Sequence, residues 1–234
     1  MTDTRRRADA GTVRVTDRDV RGMSWVVEMY GMPFDLLRRV LATSDSAARN
    51  VVSRWRRAGW VETGSRGAGP MWVWATEAGI REFGRHPYAP NVPSAARVAH
   101  LRAAIVVRLY CEQSPAYQDR RLDWRSEREI RWEMGQRIGS SAAREHVPDA
   151  EAEVDTPAGG RTRIAIEVEI TPKDLARTLA IMRLLVDQRG YLAVTYFAPS
   201  HVRPLLERCL PELNETSARR ITITPYEKAE EALS

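Results

Sequence analysis

The chain has 234 residues, 43% of them hydrophobic, which is enough for two small domains or one large one. No apolar run approaches the roughly 18 residues of a membrane-spanning helix. The first seven residues, Met-Thr-Asp-Thr-Arg-Arg-Arg, lack the apolar core of a signal peptide. We therefore expect a cytoplasmic protein without a membrane partner. Residues 1–90 carry 15 basic and 10 acidic side chains, whereas residues 91–234 carry 21 of each, so we expect any polyanionic partner to meet the N-terminal part.

The N-terminal third begins with residues 1–15, which are polar and Arg-rich and are predicted to form a flexible arm. Apolar spacing then predicts helices over 17–29, 34–41 and 46–58, two strands around a Gly-rich tip between 60 and 74, and a helix from Thr76. The third of these helices has an apolar stripe and an opposite face rich in Arg, Asn and Ser. The candidate DNA-contacting residues of this helix and of the hairpin tip are Ser46, Arg49, Asn50, Ser53, Arg54, Arg57 and Arg66.

Residues 17–84 resemble winged-helix DNA-binding domains, chiefly through Ala58-Gly-Trp-Val61, the hairpin, and Thr76-Glu-Ala-Gly79. The resemblance implies a DNA-binding domain over 16–85, in which a helix reads base edges in the major groove and Arg66 meets a phosphate. The alternative is a winged helix used for protein interaction or dimerisation, with its arginines merely solvated.

Residues 85–96 contain three prolines and are predicted to be a linker, followed by a helix over about 94–113. We assign 86–120 to a linker and bridging helix, which either joins the two halves or supports a homodimer. His86 and His100 lack metal-ligand spacing, and the sequence gives them no role.

Two strands are predicted over 147–155 and 162–170, paired as a hairpin through the turn 156–160. In the second strand Ile164, Ile166, Val168 and Ile170 alternate with the other residues, which places Glu167 and Glu169 on one face. Adjacent carboxylates repel each other and cost more when buried, so a cation is expected beside them. A divalent metal shared by Asp149 and Glu167 is the specific hypothesis, and an exposed edge strand with solvated acids is the alternative.

The remaining elements alternate between helix and strand. Thr171 as N-cap and Pro172 at the first helical position predict a helix to about Gln188. A buried strand over 191–197, a helix over 200–209 and a short strand around 221–223 follow, and the tail 227–234 is expected to fray.

Pro148-Asp149, a spacer and Glu167-Val-Glu169 resemble the PD-(D/E)XK nuclease-like superfamily. The resemblance implies that Asp149 and Glu167 hold a catalytic Mg²⁺. Because Mg²⁺ takes a few carboxylates and retains waters, these two with or without the Val168 carbonyl would suffice. Glu169 stands where the family more often has Lys. Either Glu169 orients or deprotonates a water, or Lys173 replaces the missing lysine. The expected fold class is α+β, with a winged helix followed by a restriction-endonuclease-like mixed sheet flanked by helices, over 121–234.

Residues 124–134 are predicted to begin a helix that Ser126 caps, with Glu129 closing a capping box. The nuclease-like fold also has an acidic residue on a helix before its metal-binding strands. Glu127 or Glu129 matches that position, so Glu129 is a candidate both for the cap and for the catalytic site.

Both halves together, over roughly 17–200, resemble the replication-relaxation family of actinobacterial mobile elements and plasmids. The motifs that carry the resemblance are Trp124-Arg-Ser-Glu-Arg-Glu129, Pro148-Asp149 and Ile166-Glu-Val-Glu-Ile-Thr171. The resemblance implies DNA association in plasmid replication or transfer. Three hypotheses remain open: a Mg²⁺-dependent DNA endonuclease, a non-catalytic transcriptional or replication regulator whose C-terminal domain mediates dimerisation, and an interaction module without salt-dependent DNA binding.

Overall fold

A computed structural model describes residues 14–114, 123–138, 145–155 and 159–233. Residues 1–13, which include most of the predicted arm, and 156–158 of the predicted turn lie outside this description. The elements in chain order are α1 (Asp17–Glu28), β1 (Met32–Pro33), α2 (Phe34–Val40), α3 (Asp45–Arg57), β2 (Val61–Gly64), β3 (Trp72–Ala75), α4 (Glu77–Phe83), α5 (Val98–Gln113), β4 (Asp123–Ser126), α6 (Glu127–Ile138), β5 (Ala150–Asp155), β6 (Arg161–Val168), α7 (Leu175–Arg183), β7 (Ala193–Ala198), α8 (Arg203–Cys209), α9 (Glu215–Ala218), β8 (Ile221–Pro225) and α10 (Glu227–Glu231).

The N-terminal part contains α1 to α4 and a three-stranded antiparallel sheet in the order β1-β3-β2. The predicted helices and hairpin are confirmed to within a few residues, and side-chain caps define the starts of α1, α3 and α4. Ser44 accepts a hydrogen bond from the Ala47 amide at the start of α3, and Thr76 accepts one from the Gly79 amide in α4. The two-residue strand β1 was not expected from the sequence.

The C-terminal part is built on a five-stranded mixed sheet in the order β4-β5-β6-β7-β8. Strands β4, β5 and β6 pair antiparallel, whereas β7 is parallel to β6 and β8 is parallel to β7. The predicted succession of strands and helices is therefore confirmed, and the protein is a mixed α+β structure. One sheet face packs against α7 and α8, and α5 contacts the other, where Tyr110 meets Phe197 edge to face.

Three local predictions were wrong. Residues 124–126 belong to the edge strand β4 rather than a helix, because their backbone pairs with β5. Helix α7 begins after Asp174, whose side chain accepts a hydrogen bond from the Arg177 amide at 2.8 Å, so Thr171 is not its cap. The tail forms α10 instead of fraying, since burial of Ala229 and Leu233 stabilises it.

Helix α5 contacts both parts of the protein. Its buried residues share one continuous core with the N-terminal helices and with one face of the large sheet. The buried Arg108 donates to Glu28 of α1 at 2.9 Å. The predicted linker is also held in place, since Tyr88 is buried and the Ala89 carbonyl accepts a hydrogen bond from Arg128. None of the helices within the described ranges is long and apolar enough to cross a membrane.

Candidate functional site

A cleft of about 650 Å³ lies where β5 begins and β6 ends, and it brings together most of the predicted catalytic side chains. The residues that line it include Arg97, His100, Glu127, Arg131, His146, Asp149, Glu167, Glu169, Lys173 and Arg177. Carboxylates and cationic side chains therefore lie together in one cleft that is open to solvent.

Asp149 lies immediately before β5, and the strand register explains its position. Ala150 pairs with Ile166, so continuing the antiparallel ladder by one residue sets Asp149 opposite Glu167. Asp149 accepts a hydrogen bond from the Val168 amide at 2.7 Å, and His100 Nε2 lies 2.8 Å from its other oxygen. Burial raises the pKa of Asp149, but the charge of His100 and these hydrogen bonds outweigh it and hold that pKa below its ordinary value. The Asp149 charge in turn raises the pKa of His100.

Glu167 is the most enclosed carboxylate of the cleft, with 3% of its surface exposed. His146 Nε2 lies 2.9 Å from its Oε1 atom. Burial raises the pKa of Glu167 to about 7, and the nearby Asp149 adds to this effect. The neighbouring protein groups therefore offset only part of the cost of its negative charge.

Glu169 and Lys173 form an ion pair at the mouth of the cleft. Glu169 follows β6, and its amide donates to the Phe197 carbonyl at 3.0 Å, which fixes the chain beside β7. Lys173 lies in the short segment before the Asp174 cap and is partly exposed. The ammonium group predicted as a replacement for the missing family lysine thus reaches the same cleft.

The two acidic candidates on α6 occupy different places. Glu127 lines the cleft, where it accepts hydrogen bonds from Arg97 at 2.9 Å and Arg131 at 2.7 Å. Glu129 is buried away from the cleft, 3.6 Å from Arg85 and 3.8 Å from His86. Its amide still donates to Ser126 Oγ at 3.3 Å, so half of the predicted capping arrangement is present.

The donor set of the cleft fits a hard divalent cation such as Mg²⁺. Asp149 and Glu167 present carboxylate oxygens from neighbouring strand ends, and Mg²⁺ typically takes one or two carboxylates and keeps several waters. A cation between them would also offset the buried charge that raises the pKa of Glu167. It would have to compete with His100 and His146 for the carboxylate oxygens.

The exposed face of α3 is a second candidate surface. The side chains of Ser46, Arg49, Asn50, Ser53 and Arg57 are exposed, whereas Ala48, Val52 and Trp55 face the core.

Three of the predicted DNA-contacting arginines, Arg49, Arg54 and Arg66, have partners within the protein. Arg54 forms an ion pair with the buried Asp19, and Arg66 packs on the Trp74 ring with its guanidinium carbon 4.1 Å from the ring centroid. Arg49 is paired with Asp45 at 2.7 Å on the same helix but stays largely exposed.

Sequence reasoning missed the two histidines of the cleft. His100 lies 49 residues before Asp149, and no local spacing connects them. His146 stands two residues before Pro148-Asp149, and this short separation was the one available signal.

Comparisons with protein-family models, with curated proteins and with solved structures give no match.

Proposed function

We propose that the protein binds duplex DNA through α3 and hydrolyses a phosphodiester bond in the cleft with the help of Mg²⁺. The observation that carries the proposal is the convergence of Asp149, Glu167, Glu169 and Lys173 in one cleft, as in the nuclease-like superfamily that the sequence resembles.

The arrangement of α1 to α4 with the β2–β3 hairpin supports the DNA-binding half of the proposal. It matches the helix and strand order of a winged helix-turn-helix, with α3 in the place of the recognition helix. The exposed Arg, Asn and Ser side chains of α3 are the types that bond base edges and phosphates. Arg57 is the strongest candidate for a phosphate contact, because it is exposed at the end of α3 beside an open groove against β2.

The chemistry of the cleft follows from the roles its groups can take. Asp149 and Glu167 would hold the cation, which when bound polarises the phosphate and lowers the pKa of a water. Glu169 accepts a proton from the attacking water as the new O–P bond forms. Lys173 stabilises the charge that develops on the phosphate oxygens while the bond to the leaving oxygen breaks, and the leaving oxygen takes a proton from solvent water.

The resemblance to the replication-relaxation family supports a role in the replication or transfer of a plasmid or mobile element. Under this proposal α3 binds the DNA site, and the cleft cleaves a strand of the bound DNA. The partner is therefore DNA, and the reaction is metal-dependent endonucleolytic hydrolysis.

The test is incubation of the full chain with supercoiled plasmid and Mg²⁺, Mn²⁺ or EDTA, with a gel shift run in parallel. Glu167→Gln should abolish nicking and leave the gel shift intact. Glu153→Gln is the matched control, since Glu153 lies on β5 outside the cleft and is partly exposed. Nicking that persists in EDTA or in Glu167→Gln would rule out the proposed site.

A second candidate function is a non-catalytic regulator whose C-terminal part mediates dimerisation. The observation that favours it is that His100 and His146 already engage Asp149 and Glu167. Such a protein would retard DNA in a gel shift without cleaving it in the presence of metal, and light scattering would show a dimer. The absence of any DNA shift would contradict both candidates.

A further inference from the structure

A second group of potential metal ligands lies outside the cleft, where the segment after α4 meets α6. It consists of His86, Glu129 and Glu133, and their ligand atoms all lie within 4.8 Å of one another. Glu129 and Glu133 are one helical turn apart on α6, so their side chains share a face. His86 lies in the segment after α4 and approaches that face, with its Nε2 atom 3.8 Å from Glu129 Oε1.

Glu129 supplies an independent indication that a cation belongs there. Its side chain is only 9% exposed, and its Oε2 atom is buried without a hydrogen-bond partner. A buried carboxylate oxygen without a hydrogen bond is costly. Arg85 lies 3.6 Å from this oxygen, but its side chain is half-exposed and it is shared with Glu28, to which it is closer at 3.3 Å. Burial raises the pKa of Glu129, which agrees with a negative charge that the protein compensates incompletely.

The other two ligands are held in position by their neighbours. The His86 ring stacks on Trp132, with ring centroids 3.9 Å apart and planes 13° apart. Arg125 and Arg137 both approach the Oε2 atom of Glu133, at 2.5 and 3.7 Å, and so orient that carboxylate. These contacts limit the rotamers of His86 and Glu133, and a bound ion would use the other Glu133 oxygen.

From this geometry we infer that His86, Glu129 and Glu133 form a binding site for a borderline transition-metal cation such as Zn²⁺. An imidazole with two carboxylates suits Zn²⁺ or Co²⁺ better than Mg²⁺, which prefers oxygen ligands alone. Three protein ligands leave a fourth position for water. His86 and Glu133 are each about a quarter exposed, which gives the ion a path from solvent.

The bound ion would connect the segment after α4 to α6. Because α4 belongs to the N-terminal part and α6 follows an edge strand of the large sheet, the ion would link the two parts of the protein. This site is independent of the proposed nuclease function, and it uses none of the residues that line the cleft.

The test is metal binding by the full chain after chelator treatment and dialysis. Co²⁺ is titrated by visible absorption, and Zn²⁺ is titrated by competition and quantified by elemental analysis. Wild type should bind at this site, and His86→Gln should weaken the affinity by about 100-fold or more, as expected for loss of a ligand rather than of a supporting contact. Glu133→Gln is a second variant at a more exposed position, in case His86→Gln disturbs folding. Zn²⁺ should raise the melting temperature of wild type but not of either variant.

Two further variants separate this site from other metal binding. Glu167→Gln removes a ligand from the cleft, and His201→Gln removes an exposed histidine elsewhere; both should keep the Zn²⁺ affinity and the thermal shift. Binding that survives in both His86→Gln and Glu133→Gln would overturn the inference. So would a wild type that binds no Zn²⁺, or binding that is lost only in Glu167→Gln.

Discussion

Removal of the Asp19 carboxylate should destabilise the N-terminal part, because one buried group holds α1 and α3 together. Asp19 accepts hydrogen bonds from the amide and the hydroxyl of Thr16 at 2.9 and 2.8 Å and from Trp55 Nε1 at 2.8 Å. It also forms an ion pair with Arg54, and its own surface is fully buried. The Asp19→Ala substitution therefore removes a capping interaction and leaves a buried indole N–H without an acceptor.

The expected magnitude follows from these two losses. The reciprocal cap contributes about 1 kcal/mol, and an unsatisfied buried donor costs about 1–3 kcal/mol. We expect Asp19→Ala to lower the free energy of unfolding by about 2–4 kcal/mol, measured by urea unfolding with tryptophan fluorescence. The control is Asp17→Ala, since Asp17 is in the same helical turn but exposed, and its loss should cost less than about 1 kcal/mol. Equal losses in the two variants would refute the reasoning.

The same carboxylate predicts a pH dependence. Burial raises the pKa of Asp19, but the hydrogen bonds from Trp55 and Thr16 and the charge of Arg54 outweigh it, so the pKa lies below the ordinary value of 3.8. A carboxyl whose pKa is lower in the folded state stabilises the protein above its unfolded pKa, and this contribution is lost as pH falls through the folded pKa. The stability difference between wild type and Asp19→Asn should therefore be constant from pH 7 to about pH 5 and shrink below about pH 4. A difference that grows on acidification would contradict this assignment.

Three further predictions address DNA binding, cleavage and the junction between the two parts. Arg57→Gln should weaken DNA binding equally across sequences and reduce the slope of log affinity against log salt concentration by about 1, measured by fluorescence anisotropy. An unchanged slope would show that Arg57 does not contact the DNA. Arg177 is exposed and lines the cleft, so Arg177→Gln should raise KM for plasmid nicking several-fold and leave kcat unchanged. A fall in kcat alone would contradict a substrate-binding role. Arg108→Met removes the closest cation of the buried Glu28 but leaves Arg85 at 3.3 Å, so it should lower the free energy of unfolding in urea by less than the roughly 3–5 kcal/mol of a fully unpaired buried charge. Adding Glu28→Leu should recover part of that loss, and a double variant less stable than Arg108→Met would contradict this account.

The sequence by itself determined most of the local structure and the pairing of the two strands that carry Asp149 and Glu167. Apolar period and capping residues marked most helices and strands, since these signals depend on neighbours within a few residues. Alternating apolar residues and the turn between them also predicted that the strands containing Asp149 and Glu167 pair, whereas the register came from the structure. The placement of the two carboxylates on neighbouring strands was therefore predictable.

Local signals failed where pairing or packing partners are distant in the chain. Residues 124–126 were expected to be helical, but pairing with β5 makes them a strand. The C-terminal tail consists of good helix formers but is too short for a stable isolated helix, and burial of Ala229 and Leu233 in the core stabilises it. Distant pairing or burial decides the structure of both segments.

Only the tertiary structure decided which charged groups meet. Helix α5 brings His100 to Asp149 across 49 residues, and the same packing directs Glu129 towards His86 and Arg85 instead of the cleft. No sequence period encodes such contacts, because they depend on the angles at which separate elements pack. Each buried carboxylate must be compensated by a group that those angles place beside it, and so the neighbours of Asp149 and Glu129 became known only from the fold.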